Sequence, residues 1–137
     1  MRGDHMTDAE LNELARGWIA YWHDPKNEDT WEAWNRSSDY MDEAVESHPI
    51  EAWKMILAIH ALDQSRQIQQ VLSPGPIEDL LVKHGDEMIA IVEAEAGRDP
   101  TFAKVLGGVW KNRMADEVWS RLQGVWDRRG WDGIPEE

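Results

Sequence analysis

Five histidines and a large set of carboxylates are the side chains that could do acid–base or ligand chemistry. His60 lies in an apolar helical pattern, where a buried histidine held by a hydrogen bond is the more common case. His84 precedes Gly85 at a predicted helix end, where its ring can satisfy terminal carbonyl groups. The chain contains neither His-x-x-x-His nor His-Glu-x-x-His, so we predict no metal site.

Other catalytic signatures are missing from the sequence. Glu78 and Asp79 follow Pro76, in a first helical turn whose dipole favours acids; the alternative is that this pair binds a cation. No serine lies in a Gly-x-Ser-x-Gly elbow, and Gly107-Gly108 alone is far from a nucleotide-binding loop. The chain has no cysteine, which excludes thiol catalysis and zinc–thiolate sites. We therefore favour a non-enzymatic function and predict no cofactor.

The chain contains nine tryptophans and a single phenylalanine. Six of them fall on apolar helical faces and are expected in the core: Trp18, Trp22, Trp53, Trp110, Trp119 and Trp126. Trp31, Trp34 and Trp131, together with Tyr40, lie in polar surroundings. Exposed tryptophan among acids is typical of a protein-binding hot spot. The alternative is that these rings pack the edges of a small domain.

The charge of the chain is strongly acidic. Twenty-seven acidic and 14 basic side chains give a net charge of −13, spread over both halves. Phosphate binding needs a basic footprint, so nucleic acid is not an expected ligand. A basic protein partner fits this charge, and the alternative is that the acidity only keeps the protein soluble. No apolar run has the length of a membrane span and no signal peptide opens the chain, so we expect a cytoplasmic protein.

The helices that must position these side chains are short and separated by Gly, Pro or Ser. Thr7 to Glu10 reads as a capping box that opens a helix ending at His23. We predict a helix around Trp31 and Trp34, a break at Ser37-Ser38, and further helices after it. Glycines are predicted to end three helices, at Gly85, Gly97 and Gly107. The last helix is predicted to open near residues 115–116 and run to residues 128–130.

No segment has the alternation of a β-strand. The fold class is therefore all-α, with six to eight short helices packed as antiparallel pairs, either solenoid-like (HEAT-like) or as an irregular bundle. We expect residues 1–5 to derive from a cloning vector, and residues 6–137 to form one domain with a short C-terminal tail.

Several motifs in the second half together resemble a known pattern. They are Gly75-Pro76-Ile77-Glu78-Asp79-Leu80-Leu81 with His84-Gly85, Asp99-Pro100-x-Phe102, and Leu106-Gly107-Gly108-Val109-Trp110. Pro49-x-x-Ala52-Trp53 and Asp116-x-Val118-Trp119 add to them. In this combination the chain resembles an uncharacterised bacterial family, a domain of unknown function whose members are short, Trp-rich and helical. The resemblance implies a helical fold and carries no activity.

Three hypotheses for function follow. The leading one is an acidic interaction module that docks on a basic protein and masks it, as immunity proteins, antitoxins or nucleic-acid mimics do, with Trp31, Trp34 and Tyr40 as anchors. The second is a small hydrolase or ligand-binding domain whose pocket lies between helices near Glu78, Asp79, His84 and Trp110. The third is a structural subunit that self-associates through exposed tryptophans. The sequence leaves the oligomeric state open.

Overall fold

The computed structural model describes residues 6–129; the predicted vector-derived residues and the tail from Trp131 lie outside this range. Seven α-helices and one π-helical turn account for most of it, and no strand occurs within it, which confirms the all-α prediction. The helices are α1 (Asp8–His23), α2 (Glu28–Ser47), α3 (Pro49–Leu62), α4 (Arg66–Leu72), α5 (Glu78–Arg98), α6 (Pro100–Leu106) and α7 (Asp116–Gln123), and the π-helical turn spans Ser73–Ile77.

The described chain divides into two compact units, one ending at Ile68 and the other beginning at Gln69. The first unit contains α1, α2 and α3, which all pack on one another. The second is built on α5, which packs against the π-helical turn, α6 and α7. The single domain predicted for residues 6–137 stays a prediction, to be tested by whether both units unfold in one transition.

Helix α1 forms as its sequence predicts. The Thr7 hydroxyl accepts the N–H of Glu10 at 3.1 Å, and the Glu10 carboxylate accepts the N–H of Thr7 at 2.9 Å. These two bonds satisfy donors that an uncapped helix would leave exposed. The helix ends at His23, two residues before Pro25, and buries Leu11, Ala15 and Trp18.

Helix α2 corrects the predicted break at Ser37-Ser38, because it continues unbroken through both serines. Ser37 is buried, and its hydroxyl donates to the backbone carbonyl oxygen of Leu14 on α1 at 2.6 Å. Gly17 lies at the same crossing, where an added Cβ would be 3.0 Å from the Ser37 hydroxyl oxygen. The small and polar residues here allow two helices to approach closely, so they do not mark a turn.

Helix α5 corrects the predicted end at Gly85, since the helix kinks at His84 (φ −134°, ψ 32°) and then continues to Arg98. The glycine is required by packing: a Cβ on it would lie 2.8 Å from Cγ2 of Val118 on α7. Helix α7 is also shorter than predicted, because it ends at Gln123 and Gly124 forms its C-cap. By contrast, α6 buries Phe102, Val105 and Leu106 as predicted.

Candidate functional site

Five aromatic side chains from α1 and α2 pack together in the first unit; we call Trp18, Tyr21, Trp22, Trp31 and Trp34 the aromatic cluster. Trp34 lies at its centre, stacked on Tyr21 at 4.9 Å between ring centroids and edge-on to Trp22 at 5.1 Å. Trp18 contacts the same Trp34 ring at 5.7 Å and is the buried member. Aromatic pairs in these geometries add stability beyond their buried area.

Trp31 forms the exposed edge of the cluster. Its side chain is 47% exposed, and its ring lies 6.0 Å from that of Tyr21. The preceding turn is tightly hydrogen-bonded: the Asn27 side-chain oxygen accepts the N–H of Asp29 at 2.7 Å, and the Thr30 hydroxyl donates to the Asp24 carbonyl oxygen at 2.6 Å. The backbone that carries Trp31 is therefore fixed by a capped helix start, and its indole packs against the Tyr21 ring.

The chain around Trp31 is acidic and exposed. Between residues 24 and 32 there are four acidic side chains, Asp24, Glu28, Asp29 and Glu32, and one basic side chain, Lys26. All five are exposed, so the local net charge of −3 faces solvent beside an exposed indole. A surface of this kind attracts cationic side chains both by charge and by cation–π contact.

The three predicted anchors differ in their positions. Trp31 and Trp34 belong to the aromatic cluster, whereas Tyr40 lies outside it. Partial burial raises the pKa of the Tyr40 phenol above its usual value of 10.0, and the neighbouring carboxylate of Glu51 raises it further. Tyr40 of α2 therefore lies near Glu51 of α3.

The sequence reasoning missed Tyr21 and assigned Trp18 and Trp22 to the core. Trp18 is buried, but Trp22 is only partly so. A signal was present, since Trp18, Tyr21 and Trp22 are three and four residues apart and so share one face of α1. Their pairing with Trp31 and Trp34 on α2 depends on how the two helices cross, which helical spacing does not specify.

In the second unit, the Glu78 carboxylate forms hydrogen bonds to the loop that follows α6. Its side chain is buried; Oε1 accepts the backbone N–H of Trp110 at 3.0 Å, and Oε2 accepts Nδ2 of Asn112 at 3.1 Å. Asn112 has a left-handed backbone (φ 48°), a conformation that asparagine tolerates better than most residues. Glu78 is therefore a structural carboxylate, while its neighbour Asp79 is exposed.

Trp110 is 60% exposed, so the prediction that it belongs to the core is wrong. Helix α6 ends at Leu106, and helical spacing no longer determines which way residue 110 faces. The guanidinium carbon of Arg128 lies 5.6 Å from the centroid of the Trp110 ring and 4.4 Å from that of Trp126. Trp126 in turn packs edge-on against Trp119 at 5.0 Å. We call Trp110, Arg128, Trp126 and Trp119 the arginine–tryptophan stack.

Comparison with protein-family models assigns most of the chain to a family. A family model described as "Family of unknown function (DUF6869)" matches residues 22–130. The chain belongs to this family. No curated protein and no solved structure matches the chain.

In this DUF6869 chain, the motifs that carried the resemblance have structural roles. Glu78 holds the loop at Trp110, and Gly85 admits Val118 of α7. Gly107 admits another backbone segment, because a Cβ on it would lie 2.3 Å from the carbonyl oxygen of Asp127. That segment is fixed by a hydrogen bond from the Asp127 N–H to the Ala103 carbonyl oxygen at 2.9 Å. The motifs thus build the scaffold that presents Trp110.

His84 lies apart from the other residues predicted for a ligand pocket. It lines a shallow depression of about 270 Å³ at the α5 kink, together with Lys83, Asp86, Val118 and their neighbours. Nδ1 of His84 is 4.0 Å from a carboxylate oxygen of Glu87. Glu78, Asp79 and Trp110 do not line this depression, so the pocket hypothesis depends on His84 alone among the four.

Two kinds of site are absent from residues 6–129. Within them, no group of three or more histidine and carboxylate side chains is arranged to hold a metal ion. None of the helices in the same range combines the length and hydropathy needed to span a bilayer.

Proposed function

We propose that this DUF6869 protein is a non-enzymatic interaction module, and that its aromatic cluster docks on a basic partner protein. The observation that carries the proposal is the position of Trp31, an exposed indole at the edge of a packed cluster and beside four exposed carboxylates. In its specific form, the module masks a cationic surface of its partner, as immunity proteins, antitoxins and nucleic-acid mimics do.

The rigidity of Trp31 supports a role as an anchor. Binding costs less when an anchoring side chain is already ordered, because less conformational entropy is lost. Trp31 follows a capped helix start, and its ring is supported by Tyr21. Tryptophan is also the residue type most enriched among hot spots, where truncation to alanine costs about 2 kcal/mol or more.

The charge of the surface supports a basic partner. The local charge of −3 has the same sign as the net charge of −13 of the whole chain. The charges beside Trp31 and the charge of the whole protein therefore both attract cations. A partner that places lysine or arginine against Trp31 would gain a cation–π contact and ion pairs with the flanking carboxylates. Such binding should associate quickly and weaken as salt is raised.

The experiment is affinity capture of the partner from bacterial lysate at low and at high salt, with wild-type protein and two variants. Trp31→Ala removes the exposed anchor. The matched control is Ile50→Ala, which truncates another exposed apolar side chain (42% exposed) of the same unit, on α3. Trp34→Ala is less informative, because Trp34 lies at the centre of the cluster and its loss would also destabilise the unit.

We expect a stoichiometric basic protein that is retained by wild type and by Ile50→Ala, and lost with Trp31→Ala or high salt. Retention that is indifferent to both salt and Trp31 would refute the proposal. We also propose that the protein is cytoplasmic, and fractionation of the host would test this location.

Self-association is the second candidate, favoured by the exposure of both Trp31 and Trp110. It predicts a mass above that of one chain in size-exclusion chromatography with light scattering. It also predicts that Trp31→Ala or Trp110→Ala returns the protein to a monomer. A monomeric wild-type protein at high concentration would exclude it.

A further inference from the structure

The loop that carries Trp110 is fixed by contacts on both sides of this residue, at Gly107 and at Asn112. The carboxylate of Glu78 is committed to the Trp110 N–H and to the Asn112 side chain. Residues 127–128 pass so close to Gly107 that no side chain fits between them. The 60% exposed indole of Trp110 is thus attached to a fixed backbone, which lowers the ordering cost of any contact it makes.

Arg128 lies on this indole, and no carboxylate of residues 6–129 neutralises it. Among residues 6–129 no acidic side chain pairs with Arg128, and its Nε is buried with no hydrogen-bond acceptor. Its neighbour Arg129 does form an ion pair, with Asp127 at 2.9 Å. In a chain with 27 acidic side chains, an arginine that contacts two aromatic rings and no carboxylate of the described residues is unusual.

The surrounding chain has the opposite charge to the rest of the protein. Residues 104–129 contain six basic side chains (Lys104, Lys111, Arg113, Arg121, Arg128 and Arg129) and three acidic ones (Asp116, Glu117 and Asp127). Counted along the sequence, the difference is +3, against −13 for the whole chain; of the six cations, Lys111, Arg121 and Arg129 are ion-paired, with Asp116, Glu93 and Asp127. An anionic group can therefore approach this segment more favourably than it can approach the cluster around Trp31.

We propose that the arginine–tryptophan stack is a second docking surface, for a protein segment that brings an aspartate or glutamate next to an apolar side chain. Because Nε of Arg128 is buried, the carboxylate would be bound by the two Nη groups of its guanidinium, a planar pair of donors that matches two carboxylate oxygens. The apolar side chain would cover Trp110. Because this surface lies in the other unit and selects the opposite charge, it is independent of the function proposed above.

The test is selection of short random peptides displayed on phage, against the immobilised full-length protein. Wild type is compared with Arg128→Gln, Arg128→Lys and Trp110→Ala. Arg98→Gln is the charge control, since it removes one cation that is paired with Glu95. Ile91→Ala is the control for truncation of an exposed apolar side chain (37% exposed) in the same unit. Circular dichroism checks that each variant is folded.

We expect wild type and both controls to enrich peptides with a carboxylate near an apolar residue. Resynthesised peptides should bind Arg128→Gln about tenfold more weakly, and Arg128→Lys should not restore the affinity, because lysine lacks this planar pair of donors. Trp110→Ala should lose binding while remaining folded, since its side chain is mostly exposed. Amide versions of the peptides (Asp→Asn, Glu→Gln) should also fail to bind.

Three outcomes would overturn the proposal. One is the absence of enrichment on wild type, and another is enrichment of lysine- or arginine-rich peptides. The third is enrichment of acidic peptides that bind Trp110→Ala and Arg128→Gln as well as they bind wild type.

Discussion

Replacing Gly107 by alanine should destabilise the second unit severely, although it adds only one methyl group. The new Cβ would lie 2.3 Å from the Asp127 carbonyl oxygen and 2.8 Å from Cα of Arg128, and real Cβ atoms essentially never come closer than 3.0 Å. Both neighbours are backbone, so no rotamer change relieves the overlap. Residues 127–128 must move away, which also breaks the hydrogen bond from Asp127 to Ala103.

The magnitude follows from these two effects. Overpacking typically costs about 1–3 kcal/mol, and the lost hydrogen bond about 1 kcal/mol, so Gly107→Ala should lower the free energy of unfolding by about 2–4 kcal/mol. Gly97→Ala is the matched control, because Gly97 is helical and nothing lies within 4 Å of its added Cβ. Alanine there should raise stability by up to about 0.5–1 kcal/mol.

Urea denaturation followed by circular dichroism measures both variants against wild type. The same methyl group should thus have opposite effects at two glycines of one unit. If Gly107→Ala stayed within about 0.5 kcal/mol of wild type, the close approach of residues 127–128 to Gly107 would be wrong. The role of this glycine in supporting the Trp110 loop would then be wrong as well.

Three further predictions concern stability and titration. Ser37→Ala should lower the free energy of unfolding by about 1 kcal/mol, since it removes a buried hydrogen bond between α1 and α2; no change would contradict that role. Gly85→Ala should cost about 1–3 kcal/mol alone and less in a Val118→Ala background, whereas additive effects would exclude the contact. Hydrogen bonds from Arg129 lower the pKa of the Asp127 carboxyl from 3.8 to about 2. The stabilising contribution of this carboxylate should therefore be present above pH 4 and be lost as the pH falls towards 2. A carboxyl NMR titration of Asp127 with its midpoint near 3.8 would refute this.

The sequence predicted the fold class because the relevant signals are local. The capping box at Thr7 and the proline at position 49 are contained within one helical turn, and both open helices as predicted. The errors arise where a residue serves a contact distant in sequence. Ser37 and Gly85 look like helix breakers along the chain, yet each is required by a neighbouring helix that packs on it.

The candidate sites could be predicted only in part, because their contacts also join residues that are distant in sequence. Polar surroundings made Trp31 a candidate for exposure together with Trp34 and Tyr40, but they did not tell which of the three is exposed, and the ring that supports Trp31 comes from another helix. Trp110 was assigned to a buried face because apolar spacing was continued past the end of α6. The contact between Trp110 and Arg128 joins residues 18 positions apart, and both lie outside the helices, where no periodic pattern indicates their orientation.

The most direct test of the central claim is calorimetric titration of the purified partner against wild type, Trp31→Ala and Ile50→Ala at two salt concentrations. A docking surface centred on Trp31 predicts a loss of about 2 kcal/mol or more for Trp31→Ala, little change for Ile50→Ala, and weaker binding at high salt. Equal affinities of wild type and Trp31→Ala, with no dependence on salt, would contradict the claim that this acidic aromatic cluster is where a basic partner docks.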